Sequence, residues 1–94
     1  MIYHRDWFPY NADTVMEHVP PTSGVYSLFS HQDCVYVGTS QDLKAELTRL
    51  LKGDHNPCIA QHPPDEFQFE VVLGDERNTR RDELINELSP LCKD

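Results

Sequence analysis

Two short runs of β-branched and aromatic residues, Gly24-Val-Tyr-Ser-Leu-Phe29 and Cys34-Val-Tyr-Val-Gly38, stand on either side of a polar spacer, Ser30-His-Gln-Asp33. Side chains of this kind suit the pleated, half-buried surface of a sheet. The two runs therefore read as an antiparallel hairpin closed by a short loop. With 94 residues in all, there is room for one core, and every other element has to be built around that hairpin. A single domain over residues 1–94 is expected, with residues 1–20 as an N-terminal aromatic arm and helix and residues 21–92 as the core.

The flanking segments supply the cover. Tyr3, Trp7, Phe8 and Tyr10 crowd the first ten residues, an arm too apolar to float free of the domain. Asn11 stands at an N-cap position, Asp13 falls in the following turn, and Val15, Met16 and Val19 recur at helical spacing before Pro20-Pro21 end the helix. Thr39-Ser-Gln-Asp42 caps a second helix near Asp42–Lys52, where Leu43, Leu47, Leu50 and Leu51 form one apolar stripe and Gly53 ends the run. A polar loop with Pro57, Pro63 and Pro64 follows, with room for a short turn at Cys58-Ile59-Ala60. Phe67-Gln-Phe-Glu-Val-Val-Leu73 alternates, with Phe67, Phe69, Val71 and Leu73 on one face, and reads as a third strand. A last helix is expected from about Arg77 to Leu88, with Leu84, Ile85 and Leu88 inward and Pro90 closing it. The class is α+β: a small three-stranded antiparallel sheet, hairpin plus third strand, flanked by helices.

Within the hairpin, Gly24 and Gly38 fall near strand ends, where a missing Cβ permits a tight turn or the close approach of another group. Tyr26 and Tyr36 can bring phenolic hydroxyls to one sheet face, or serve simply as amphipathic sheet aromatics. Gly24-Val25-Tyr26 followed ten residues later by Tyr36-Val37-Gly38 resembles the paired motif of the GIY-YIG nuclease family. The resemblance extends through the helix after Gly38, the third strand and Leu84-Ile85 with Pro90, and so covers about residues 20–92.

That resemblance implies a cleft that cuts phosphodiester bonds in nucleic acid. A divalent cation is held by one glutamate and water, a tyrosine helps to activate the attacking water, and a helix arginine steadies the phosphate. Phosphoryl transfer needs these three functions. Carried over by position, the two tyrosines match Tyr26 and Tyr36. The helix arginine, eight residues after Gly38, is replaced by Glu46, and the position four further on is Leu50. The metal-binding glutamate, nine residues before Pro90, is replaced by Arg81, and an asparagine three residues after that proline is replaced by Lys93. A glutamate repels phosphate, and a guanidinium is always protonated with no lone pair to offer a cation. Arg49, three residues past Glu46, and Glu83, two past Arg81, are the nearest substitutes.

Charge points the same way. Sixteen acidic against eight basic residues leave a net charge of −8, the wrong overall sign for a surface that must neutralise phosphates. Only Arg77, Arg80 and Arg81 cluster, and Asp75, Glu76, Asp82 and Glu83 surround them as on a solvated helix face. His55, Cys58 and His62, with Asp54 nearby, make one proline-interrupted trio of possible ligands rather than a paired zinc site. Nothing identifies an oriented Cys-His hydrolase. No apolar run approaches a membrane span or a secretory leader, so a cytoplasmic location is expected. Three cysteines, Cys34, Cys58 and Cys92, without close pairing fit reduced thiols there.

The leading reading is thus a GIY-YIG-like domain that has lost cutting and serves as a binding or interaction module. Tyr26, Tyr36 and Arg49 are then catalytic remnants, in a cleft with Gly24, Gly38, Glu46 and Arg81. No metal site and no cofactor are expected, and a protein partner is favoured over nucleic acid, which would bind weakly. The rival is a divergent nuclease using Tyr36, alternative ligands and Mg²⁺ or Mn²⁺; an enzyme of other chemistry in the same cleft is a third. Because the residue types at the two replaced positions are reversed, Glu46 and Arg81 are expected to pair, directly or through water.

Overall fold

In a computed structural model, which describes residues 7–53 and 57–92, the elements run β1 (Phe8–Pro9), α1 (Ala12–His18), β2 (Gly24–Ser30), β3 (Asp33–Ser40), α2 (Leu43–Leu51), α3 (Pro57–Gln61), β4 (Glu66–Val71) and α4 (Glu76–Leu88). The strands form one antiparallel sheet in the order β1-β4-β2-β3. The hairpin and third strand of the sequence reading are three of its four strands, with β2 and β4 at the centre and β3 at one edge. The aromatic arm adds a short fourth strand, Phe8 opposite Phe67 and Pro9 opposite Glu66. Phe8 also stacks on Phe67 and Phe69, with ring centroids 5.5 and 5.7 Å away. Tyr3 lies outside the described residues.

The hairpin turns at His31 and Gln32, with φ of 51° and 72°. Left-handed geometry at both positions gives the turn a twist that matches the strands it joins. Further along, Leu28 faces Tyr36 while Phe29 faces Cys34, so Val35 is an extra residue, a β-bulge. The bulge sends Val35 to one face of the sheet and leaves Cys34 and Val37 on the other. It also receives the segment that follows α4: the amides of Leu91 and Cys92 donate to the carbonyls of Cys34 and Val35 at 3.0 and 2.7 Å.

Helices cover both faces. On one, Val15 of α1, Leu43, Leu47 and Leu50 of α2 and Ile59 of α3 pack on Tyr26, Leu28 and Phe67. On the other, Leu84 of α4 packs on Val25, Phe29 and Val37, with Ile85 and Leu88 partly buried beside it. Side-chain caps set where α1 and α2 begin: Asn11 accepts from the Thr14 amide at 2.9 Å and Asp42 from the Ala45 amide at 3.0 Å.

Three details depart from the sequence reading. Val15, Met16 and Val19 recur at helical spacing, but only Val15 and Val19 are buried and Met16 is 58% exposed, because α1 meets the core through Val15. Val71 and Leu73, expected to share the inner face of Phe67, are 50% and 65% exposed. Val71 pairs with Gly24, the first residue of β2, so the chain beyond it has run past the sheet. The third concerns the thiols. Cys58 and Cys92 form a disulfide across 34 residues, with Cα atoms 5.7 Å apart, and Cys34, which is buried, lies outside it. Sequence spacing carries no trace of this pair because α3 and the tail meet only once both have docked on the sheet.

Candidate functional site

The motif residues meet where α2 crosses the hairpin. Tyr26 sits directly opposite Gly38 in the register of β2 and β3, and its ring lies across that glycine. A Cβ at position 38 would stand 2.6 Å from Tyr26 Cζ and Oη and 2.8 Å from Tyr36 Cε2, closer than side chains tolerate. Gly38 is therefore not a turn residue, since β3 continues to Ser40; it is the space the two phenol rings occupy. A Cβ on Gly24 would collide with the Glu70 carbonyl and stand 2.5 Å from Leu43 Cδ1, so this glycine lets the first leucine of α2 settle on the sheet.

Glu46 joins these parts. Tyr26 Oη donates to Glu46 Oε2 at 2.9 Å, and Glu46 Oε1 accepts from Arg49 at 2.8 Å, one turn further along α2. Tyr10 arrives from the arm beside them, its hydroxyl donating to the Leu47 carbonyl at 2.7 Å. Burial pushes the Tyr26 phenol far above its ordinary range, and the adjoining Glu46 carboxylate pushes it the same way. Burial and Glu46 likewise raise Tyr10, partly offset by Arg49. Both phenols keep their protons at neutral pH.

Tyr36 shares the sheet face, its ring centroid 6.1 Å from that of Tyr26. It lines a groove of about 310 Å³ with Val37, Arg81, Asp82, Ile85, Pro90 and Cys92. Arg81 lines the same groove and donates to Asp82 at 3.3 and 3.4 Å. The expected pairing of Glu46 with Arg81 is not seen as a direct contact. Among the described residues each has a nearer partner, Arg49 for Glu46 and Asp82 for Arg81. Local partners cost less chain ordering than a bridge between helices on opposite faces of the sheet.

The remaining candidates fall outside the site. Leu50 is buried in the core. Glu83 bonds Arg80 at 3.0 Å, and Arg80 in turn bonds Glu70 of β4 at 2.6 Å. His55, Asp54 and Lys93 lie outside the described residues, and Cys58 is taken up by its disulfide. Sequence reasoning missed Tyr10 and Cys92. The aromatic arm hinted at the first, but no local signal marked the second.

Whether the site could hold a divalent cation is decided by its donors. The groove beside Tyr36 is lined by the Arg81 guanidinium, which repels a cation, and by Asp82, whose carboxylate is engaged with that guanidinium. Among the described residues no three His, Cys, Asp or Glu side chains converge on a common point.

No protein-family model matches the chain, and no curated protein matches it. Solved structures do. The GIY-YIG N-terminal endonuclease domain of UvrC from Thermotoga maritima, bound to magnesium, superposes with a TM-score of 0.69 at 22% identity, over 85% of this chain and 92% of that one. Two point mutants of the same domain, each bound to its catalytic divalent cation, match over 85% of this chain with TM-scores of 0.69, at 22% and 20% identity and over 91% and 92% of their own lengths. The fold of this chain is the GIY-YIG fold.

Proposed function

We propose that this GIY-YIG-fold domain does not cut nucleic acid and works as a binding module for a protein partner. The observation that carries the reading is Glu46. Its carboxylate stands on α2 bonded to Tyr26 and paired with Arg49, so the guanidinium best placed to receive a phosphate already has an anion beside it. Phosphate oxygens entering there would meet like charge. Arg81 supports the reading from the other side, as a cation lining the groove beside Tyr36. The net charge of −8 weakens any general attraction to nucleic acid. No described helix is long and apolar enough to cross a membrane. For its setting we propose the cytoplasm.

The test is a cleavage assay of the purified chain on duplex, single-stranded and branched DNA and on RNA, with Mg²⁺ or Mn²⁺. No turnover is expected, and fluorescence anisotropy should find DNA binding no tighter than the ~10⁻⁴ to 10⁻⁶ M of non-specific contacts. Cleavage abolished by both EDTA and Tyr36→Phe would overturn the reading in favour of a divergent nuclease.

A further inference from the structure

The Cys58–Cys92 bond ties together two segments that are otherwise attached to the domain by separate means. Cys58 belongs to α3, which is anchored in the core by Ile59. Cys92 belongs to the tail beyond α4, where the amides of Leu91 and Cys92 bond to the β3 bulge. Access to the two sulfurs differs: Cys92 is 2% exposed, whereas Cys58 is partly open to solvent. Cys92 also forms part of the wall of the groove that holds Tyr36 and Arg81. The third cysteine, Cys34, is buried and outside the pair.

We propose that the Cys58–Cys92 pair is a redox modification site, a latch that low-molecular-weight disulfides close and low-molecular-weight thiols open, and that its state decides whether the tail wall of the Tyr36–Arg81 groove is held in place. Disulfides in reducing compartments are characteristically transient and redox-sensing. The latch therefore draws on the proposed cytoplasmic setting but not on whether the domain cuts nucleic acid. In closing, the more accessible Cys58 thiolate attacks one sulfur of glutathione disulfide, forming a mixed disulfide and releasing one glutathione thiolate. Cys92, once deprotonated, attacks the Cys58 sulfur and releases the second glutathione. Two protein thiols lose two electrons and two protons, and one small disulfide becomes two thiols. Opening is the reverse. Once open, the segment beyond α4 keeps its backbone bonds to Cys34 and Val35 but loses its covalent tie to α3, so it is held to the bulge by those two hydrogen bonds and by its packing.

The 94-residue chain would be equilibrated in glutathione buffers of graded thiol-to-disulfide ratio, quenched in acid, denatured, alkylated and weighed. A monomer that passes reversibly between one alkylated thiol and three is expected. Hydrogen exchange on the two end states should show the Leu91 and Cys92 amides exchanging at least about tenfold faster when reduced, with β2 unchanged. Cys58→Ser, a change at the more exposed sulfur, should match the reduced state without any reductant. Three thiols at every ratio, disulfide-linked dimers, or equal exchange at Leu91 and Cys92 in the two states would overturn the latch. So would faster exchange throughout β2 on reduction, because the bond would then be a staple for the whole fold.

Discussion

At Gly38 the absence of one methyl group lets the ring of Tyr26 cross β3 and reach Glu46. Gly38→Ala should lower stability by about 1–3 kcal/mol in urea unfolding, the usual cost of overpacking a filled site. Tyr26→Leu in the same chain should recover part of that loss, since the obstructing ring is gone. A neutral Gly38→Ala would mean that the ring does not lie over the glycine. The charges around this ring are expected to divide by neighbourhood. Double-mutant cycles should find a coupling of no more than ~0.5 kcal/mol between Glu46→Gln and Arg49→Gln, small because Arg49 is nearly half exposed. Glu46→Gln and Arg81→Gln should be additive within about 0.5 kcal/mol. A larger coupling would show that the two reversed residues do sense each other across the cleft.

Among the elements, α4 depends most on a single residue. Among the described helices it alone packs on its face of the sheet, with Leu84 fully buried and Ile85 and Leu88 only partly so. An ion pair between Arg80 and Glu70 holds its first half to β4. Leu84→Ala should therefore cost about 2–5 kcal/mol, and Ile85→Val no more than about 1.5 kcal/mol. Thermal unfolding followed by circular dichroism would rank them, and equal effects would contradict the unequal burial. α2 spreads the same task over Leu43, Leu47 and Leu50, which leaves its outer face free to carry Glu46 and Arg49.

For the whole molecule the buried phenols set an alkaline limit. Tyr10 and Tyr26 have their ionisation raised above the ordinary value of 10.0, chiefly by burial. The unfolded chain would lose both protons near pH ~10, so it gains stability relative to the folded chain as pH climbs through that value. The stabilisation from keeping these phenols neutral is fully present below about pH 10 and disappears as pH rises towards the folded-state values. In a titration followed by phenolate absorbance, Tyr10 and Tyr26 should ionise only together with unfolding. Their ionisation in a chain that remains folded would contradict the burial.

What the sequence alone determined is what neighbours along the chain can enforce. The β-branched and aromatic runs of β2 and β3, the leucine stripe of α2 and the caps at Asn11 and Asp42 are short-range patterns, and each formed as its residues require. The glycine-tyrosine pairs also made the GIY-YIG fold legible, because close packing of rings on glycine leaves a mark in residue type. Tertiary structure decided the rest. The β1–β4 pairing, the bulge at Val35 and the Cys58–Cys92 bond join segments whose meeting depends on how whole elements dock. Alternation put Val71 and Leu73 on the face of Phe67, but only the position where β2 begins left them uncovered. Reversed residue types suggested that Glu46 would seek Arg81, whereas the folded chain supplied Arg49 within one turn of the same helix. A charge pairs with the partner that costs the least ordering, and that cost exists only in three dimensions.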